Sequence, residues 1–220
     1  MDVVASVERV RDRIAAAGGD PERVRVLAVT KGHGIDAVRA ALDAGLQDIG
    51  ENYAQELVSK AAELGDASDA AALAPRWHFI GQLQRNKVRQ IAHLVARWQS
   101  VDRLRLGEEI AKRAPGASVL VEVNLTDDAE RGGAPPGLVA GLVDGLRDLG
   151  LHVDGLMAVG HPGGEADVRA GFRQVRALAD ELGLPERSIG MSGDLEVAVH
   201  EGSTMVRIGT ALFGPRAERA

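Results

Sequence analysis

No cysteine occurs anywhere in the chain. That excludes disulfides, thiolate metal sites and a cysteine nucleophile. Aromatic residues are scarce, at 3% with a single tyrosine, so there is no ladder of rings on which nucleic-acid bases could stack. A basic surplus is also missing. The 26 Lys and Arg face 32 Asp and Glu, for a formal net charge of −6, whereas a nucleic-acid-binding chain normally carries excess cations. No apolar run approaches the length of a bilayer span. The opening MDVVASVERVRDRIAAAGG has acidic residues in its first turns and no long apolar core, so neither a secretory signal nor a transit peptide is expected. Together these absences predict a soluble cytoplasmic protein with no nucleic-acid or membrane partner.

What remains is ordinary globular material. The 220 residues are 45% hydrophobic and 26% charged, enough for one well-buried domain spanning 1–220 or at most two small ones. The apolar mass is Val, Leu, Ala and Ile, which suits layered α/β packing.

Along the chain, Val3, Val7, Val10 and Ile14 recur at helical spacing and Gly18-Gly19 closes that opening helix. Strands are predicted at Val24–Lys31, Asp48–Asn52, Trp77–Gly81, Trp98–Asp102, Ser118–Asn124, Gly155–Gly160, Ser188–Ser192 and Met205–Thr210. Helices are predicted between them at Ile35–Ala44, Tyr53–Leu64, Asn86–Val95, Arg103–Arg113, Leu138–Leu149, a long stretch marked by Val168, Phe172, Val175, Leu178 and Leu182, and Asp194–Glu201. Gly65–Pro75 reads as a small-residue loop or a frayed helix end, and Thr126–Pro136 as the longest loop. Regular βα alternation implies a parallel sheet with right-handed crossovers. Eight units make a single TIM-like (β/α)8 barrel with an extra N-terminal helix, the expected fold, and a doubly wound open sheet is the alternative.

In such a barrel functional groups gather at the C-terminal strand ends. Here these ends are Thr30-Lys31, Glu51-Asn52, Ile80-Gly81, Asp102, Asn124, Gly160-His161, Met191-Ser192 and Gly209-Thr210. Lys31 ends an almost wholly apolar strand and is followed by Gly-His-Gly, a setting that favours a partly desolvated, nucleophilic amine. Small residues and hydroxyls at the seventh and eighth ends (Ser192, Gly193, Gly209, Thr210) suit a phosphate. The plainer alternative is a tight turn with Ser192 capping the following helix. Alternation turns Arg207 inward with Gly209, and Glu122 inward with Asn124. A buried guanidinium needs an anion, so Arg207 pairs either with Glu122 or with a ligand. His33, His78 and His161 match no metal spacing. Tyr53 follows a strand end and is placed to act as an acid or as a packing ring. Arg85, Lys87, Arg89 and Arg97 read as the solvated side of a helix.

These residues have a familiar arrangement. VLAVTKG, DIGENYAQE, WHFIGQLQRNK, SVDRL, VNLTDDAERGG, GLMAVG and SIGMSGDLEVAVHEGSTMVRIGTALFG resemble the pyridoxal-phosphate homeostasis proteins (the YggS/PROSC type), whose fold is like the N-terminal domain of alanine racemase. The resemblance covers nearly the whole chain. It implies one barrel with pyridoxal 5'-phosphate (PLP) in aldimine linkage to Lys31, phosphate held around Ser192, Gly209 and Thr210, and Asn52 near the ring. Arg207 lies in the matching motif, with phosphate and pyridine nitrogen both open as its contact. Two departures stand out. The residue after the lysine, commonly threonine, is Gly32, which removes one hydroxyl contact. The variable place in the MSxD block is Gly193.

The family is associated with PLP storage or delivery and with vitamin B6 and amino-acid balance, without a firmly established reaction. A PLP carrier or regulator is therefore the leading expectation, with PLP-dependent apo-enzymes as partners and a monomer or weak dimer as the assembly. A racemase-like enzyme is the alternative. It needs a second acid/base, which alanine racemase draws from a second domain, and this chain ends soon after the eighth strand; Tyr53 and His78 are the conceivable substitutes. From the residues alone, a Schiff-base aldolase acting on a sugar phosphate would also use a lysine and a phosphate pocket.

Overall fold

The computed structural model describes residues 2–65, 74–126, 128 and 131–215. Asp2 caps the first helix, α1 (Val3–Ala16), by accepting the Ala5 N–H at 3.0 Å, and Val3, Val7, Val10 and Ile14 form its buried stripe. Then β1 (Arg25–Val29), α2 (Ile35–Asp43), β2 (Asp48–Glu51), α3 (Ala54–Leu64), β3 (Arg76–Phe79), α4 (Arg85–Ile91), β4 (Val95–Val101) and α5 (Leu104–Arg113) follow. The second half continues with β5 (Ser118–Glu122), α6 (Val139–Asp148), β6 (His152–Met157), α7 (Glu165–Glu181), β7 (Glu186–Ser188), α8 (Leu195–His200), β8 (Met205–Ile208) and α9 (Thr210–Phe213).

Each strand pairs in parallel with the next, and β8 returns to pair with β1 in the register Leu27↔Arg207. The sheet is a closed eight-stranded barrel, which excludes the open doubly wound alternative. Strand alternation sorts the side chains. Val26, Ala28, Val119, Val121, Val123, Val206 and Ile208 point outward into the main core between barrel and helices. Leu27, Val29 and Met205 form a separate, smaller cluster packed with Ile80. The interior also holds polar side chains, with His78, Gln99, Ser188 and Arg207 all buried.

Several boundaries differ from the sequence pattern. α4 stops at Ile91 and β4 begins at Val95, so Arg97 is a strand residue and not part of a helix face. Its guanidinium lies among Ser118, Asp154 and Glu186. β6 starts at His152, whose N–H donates to Ala117 O at 3.0 Å, and ends at Met157; pairing with β5 defines it, and its apolar run does not. β7 is only Glu186–Ser188, because Gly190 takes φ +96° and leaves the extended region. The last strand ends at Ile208, and Thr210 opens the short helix α9. Residues 66–73 of the expected loop Gly65–Pro75, and three positions of Thr126–Pro136, lie outside the described residues.

Outside the barrel, α1 lies against α2, α8 and α9. Arg13 joins Glu196 of α8 at 2.6 Å and also donates to the Ser192 carbonyl at 3.0 Å. The N-terminal helix is therefore tied to the segment between β7 and α8. No helix among the described residues is long and apolar enough to cross a membrane.

Candidate functional site

Where the strands end, the barrel opens into a cavity of about 320 Å³. Lys31, Asn52, Ser192, Arg207, Gly209 and Thr210, drawn from the ends of β1, β2, β7 and β8, all line it. The apolar part of the wall includes Val29, Ile80, Met157 and Val159.

Lys31 follows β1 directly. Gly32 has φ +73°, a left-handed conformation in which a side chain is strained. The turn therefore favours glycine here, whatever contact another residue would have offered. His33 also lines the cavity and packs its ring against Phe213, centroids 5.5 Å apart. On the neighbouring strand end, Gly209 lets the chain leaving β8 run close to β1: a Cβ there would stand 3.2 Å from the Val29 carbonyl oxygen. Ser192 does not cap α8, since Asp194 holds that position. Its hydroxyl instead accepts the Ala211 N–H at 3.3 Å and joins the seventh and eighth strand ends. Gly193 faces open space, with nothing within 4 Å of where a Cβ would be. At Asn52, Oδ1 is buried without a hydrogen-bond partner among the described residues.

Arg207 is buried and is held by carbonyl oxygens: it donates to Ala158 O at 2.8 Å and to Ser188 O. No carboxylate among the described residues pairs with it at contact distance. Burial lowers its pKa to about 10, with Glu122 and Asp194 opposing from farther off, so the guanidinium stays charged at neutral pH.

A hydrogen-bonded chain runs from Arg207 down the barrel. Arg207 Nη1 donates to Ser188 Oγ at 3.0 Å, which sends the serine proton to Gln99 Oε1 at 2.7 Å. The Gln99 amide must then present Nε2 to His78 Nδ1, at 2.7 Å. That ring nitrogen accepts, so Nε2–H is left to donate to Asp48, at 3.2 Å. Burial pulls the His78 pKa below its ordinary value against the pull of Asp48, in keeping with the neutral ring this chain requires. Each link in the run has a defined donor and acceptor, as a buried polar network demands.

Glu122 faces the same interior but lines a smaller cavity of about 170 Å³ that shares Val159 with the first. Burial, aided by repulsion from Asp102 and opposed by Arg207, lifts its carboxyl to about 7. Exposed Tyr53 lines a third cavity of about 490 Å³, which shares Asn52 with the first and carries Lys87 and Arg103 at its edge.

Other strand-end residues are employed elsewhere. Asp102 pairs with Arg103. Asn124 braces its own loop, donating to Asp128 O and Arg131 O and accepting from Thr126. His161 accepts the Gly163 N–H. Among the described residues no group of His, Asp and Glu could hold a metal ion. Sequence reasoning missed Gln99, Ser188 and Lys60. Only Lys60 carried a readable signal, as a lysine on the buried stripe of α3 with Ala54 and Leu57.

The chain matches the family model described as alanine racemase, N-terminal domain, over residues 6–217. A pyridoxal phosphate homeostasis protein of Pseudomonas aeruginosa is 43% identical over 216 residues, covering 94% of this chain and 91% of that protein. Its Escherichia coli namesake is 36% identical over 232 residues, covering 98% and 97%. PipY of Synechococcus elongatus, solved with PLP bound, superposes with a TM-score of 0.80 at 34% identity, covering 93% of this chain and 100% of that one.

Proposed function

The chain belongs to the pyridoxal phosphate homeostasis protein family, built on the alanine racemase N-terminal domain, and from that premise we propose that it binds PLP at Lys31 and holds it for intracellular vitamin B6 homeostasis. The observation that carries this reading is the convergence of Lys31, Asn52, Ser192, Arg207, Gly209 and Thr210 on one cavity. In this reading residues 1–220 are a single PLP-binding domain working in the cytoplasm, and PLP-dependent apo-enzymes are the recipients.

The residues fit the cofactor. PLP supplies an aldehyde that condenses reversibly with a primary amine, carried on an aromatic ring bearing a phosphate. Lys31 provides the amine and sits at the cavity wall. The hydroxyls of Ser192 and Thr210, with the backbone at Gly193 and Gly209, offer an oxyanion cradle on another part of that wall. Arg207 adds a fixed positive charge, pinned by Ala158 and Ser188 and so unable to follow a departing ligand. Asn52 holds an unsatisfied amide oxygen beside the cavity, a group that gains by meeting a ligand donor.

Holding rather than turnover is the reading supported by the relatives' names and by the wall chemistry. Racemisation requires an acid/base on each ring face. Neither Tyr53 nor His78 lines the Lys31 cavity: Tyr53 lies at the neighbouring cavity and His78 is bonded between Asp48 and Gln99. Among the lining side chains His33 is the one imidazole.

The test is direct. After incubation with PLP and borohydride reduction, peptide mapping is expected to find the pyridoxyl group on Lys31, and Lys31→Ala to abolish it. A parent chain left unlabelled at Lys31 overturns the reading. Circular dichroism of a panel of L-amino acids with the PLP-loaded protein is expected to stay constant, and a decaying signal would move the protein to the racemase side.

A further inference from the structure

A buried cluster of charge beside β1 has no part in the cavity just described. Lys60 of α3 is 4% exposed. Its ammonium donates to the Thr30 carbonyl at 2.8 Å and to Glu51 Oε1 at 2.5 Å. The Thr30 hydroxyl donates to the same Glu51 oxygen, also at 2.5 Å. One turn earlier on α3, Glu56 accepts the Gly32 N–H at 2.9 Å and stands 3.7 Å from the Lys60 ammonium. One helix therefore grips the peptide groups on both sides of Lys31, the carbonyl before it and the N–H after it.

Two physical points favour a purpose beyond filling space. Removing an ammonium and a carboxylate from water is costly, and a well-packed apolar pair would occupy the same volume more cheaply. An apolar pair could not hold a carbonyl and an N–H in place. The second point is local. The ladder between β1 and β2 ends at the bond from Thr30 N–H to Gly50 O, and the left-handed turn at Gly32 carries the chain away from the sheet. That ladder bond lies just before Lys31, where the amine must be placed. Glu56 holds the Gly32 N–H, Lys60 joins the His33 N–H as a donor to the Thr30 carbonyl, and Glu51, the counter-charge to Lys60, fixes that ammonium in turn.

We propose that Lys60 and Glu56 are positioning residues for Lys31: α3 fixes the backbone that carries the amine, so that its nitrogen meets an incoming carbonyl in a set geometry. This rests on the reading of Lys31 as the PLP attachment point. Placement matters because small displacements of a reacting group cost large factors in rate.

The experiment compares the parent with Glu56→Ala, Glu56→Gln and the charge-free pair Glu51→Gln with Lys60→Met. Three quantities are read: the rate at which borohydride-trappable PLP accumulates on Lys31, the absorbance band of bound PLP, and hydrogen exchange at the Gly32 amide in PLP-free protein. Glu56→Ala is expected to trap about tenfold more slowly, the scale of one charge-assisted hydrogen bond, with a shifted band and faster Gly32 exchange. Glu56→Gln keeps an oxygen that accepts the Gly32 N–H and is expected to restore all three. The charge-free pair is expected to trap slowly as well; if it fails to fold, the two Glu56 variants decide. Parental trapping and band in Glu56→Ala overturn the proposal even if its melting temperature falls, and so does a Gln variant as defective as the Ala one. A parent that never labels at Lys31 instead sinks the PLP reading, while Gly32 exchange still reports whether Glu56 holds that amide.

Discussion

Glu122 shows how one residue's surroundings set its chemistry. On β5 it faces the barrel interior, where burial and the nearby Asp102 carboxylate lift its pKa from 4.5 to about 7 despite Arg207. An acid whose pKa is higher folded than unfolded binds more protons in the folded state. Its contribution to stability is then present below about 4.5 and is lost as pH rises through about 7. Glu122→Gln is expected to remove that decline, adding up to about 3 kcal/mol at pH 8 relative to pH 5. Urea unfolding of both proteins at the two pH values measures it, and a variant that still weakens as steeply as the parent would refute the account. The inward placement of Glu122 and Arg207 was legible from strand alternation. Their separation was not: alternation chooses a face, while Arg207 is held by Ala158 and Ser188, carbonyls supplied by other strands.

At the scale of elements, the helix that precedes the barrel reaches the site. Arg13 of α1 donates to the Ser192 carbonyl and to Glu196 of α8, bracing the wall that carries Ser192 from behind. Both members of the ion pair are partly solvated, so their direct contribution to stability is small, below about 1 kcal/mol. The effect belongs to the wall. Arg13→Ala is expected to lower PLP affinity about threefold, ~0.7 kcal/mol, with little change in unfolding free energy. Fluorescence titration with PLP alongside thermal melts checks this, and unchanged affinity would show that α1 serves the fold alone. The elements themselves were largely readable, because β1, β2, β3 and β5 combine apolar residues with flanking turns. β6 and β7 were misjudged for a common reason. Their limits are set by backbone pairing and conformation, His152 pairing back to Ala117 and Gly190 turning out of the strand, and neither appears as a break in hydrophobicity.

For the whole molecule, closure is the governing fact. β8 pairs with β1, bringing residues about 180 positions apart in sequence onto one cavity wall. A ligand bridging Lys31 and the Ser192–Thr210 wall therefore ties the two ends of the barrel together. PLP at about 100 times its dissociation constant is expected to add ~2.7 kcal/mol to stability, roughly 5–10 °C in melting temperature for a chain of this size. Lys31→Ala is expected to lose most of that shift. Differential scanning calorimetry with and without PLP reads it, and equal shifts in parent and variant would mean that the phosphate wall, not the lysine, carries the binding.

Local pattern by itself determined the βα alternation, the lysine at the end of an apolar strand, the small and hydroxyl residues at the last two strand ends, and the inward turn of Arg207. These are properties of a residue and its near neighbours, and periodicity encodes them. Only the tertiary structure decided that the sheet closes, that Arg207 leans on carbonyls and not on Glu122, and that Ser188, Gln99 and His78 form one polarised chain to Asp48. It alone placed Lys60 and Glu56 on either side of Lys31. The reason is the same in each case. Contacts between distant segments depend on strand register and helix packing, which the cooperative burial of the core sets and no short window of sequence contains.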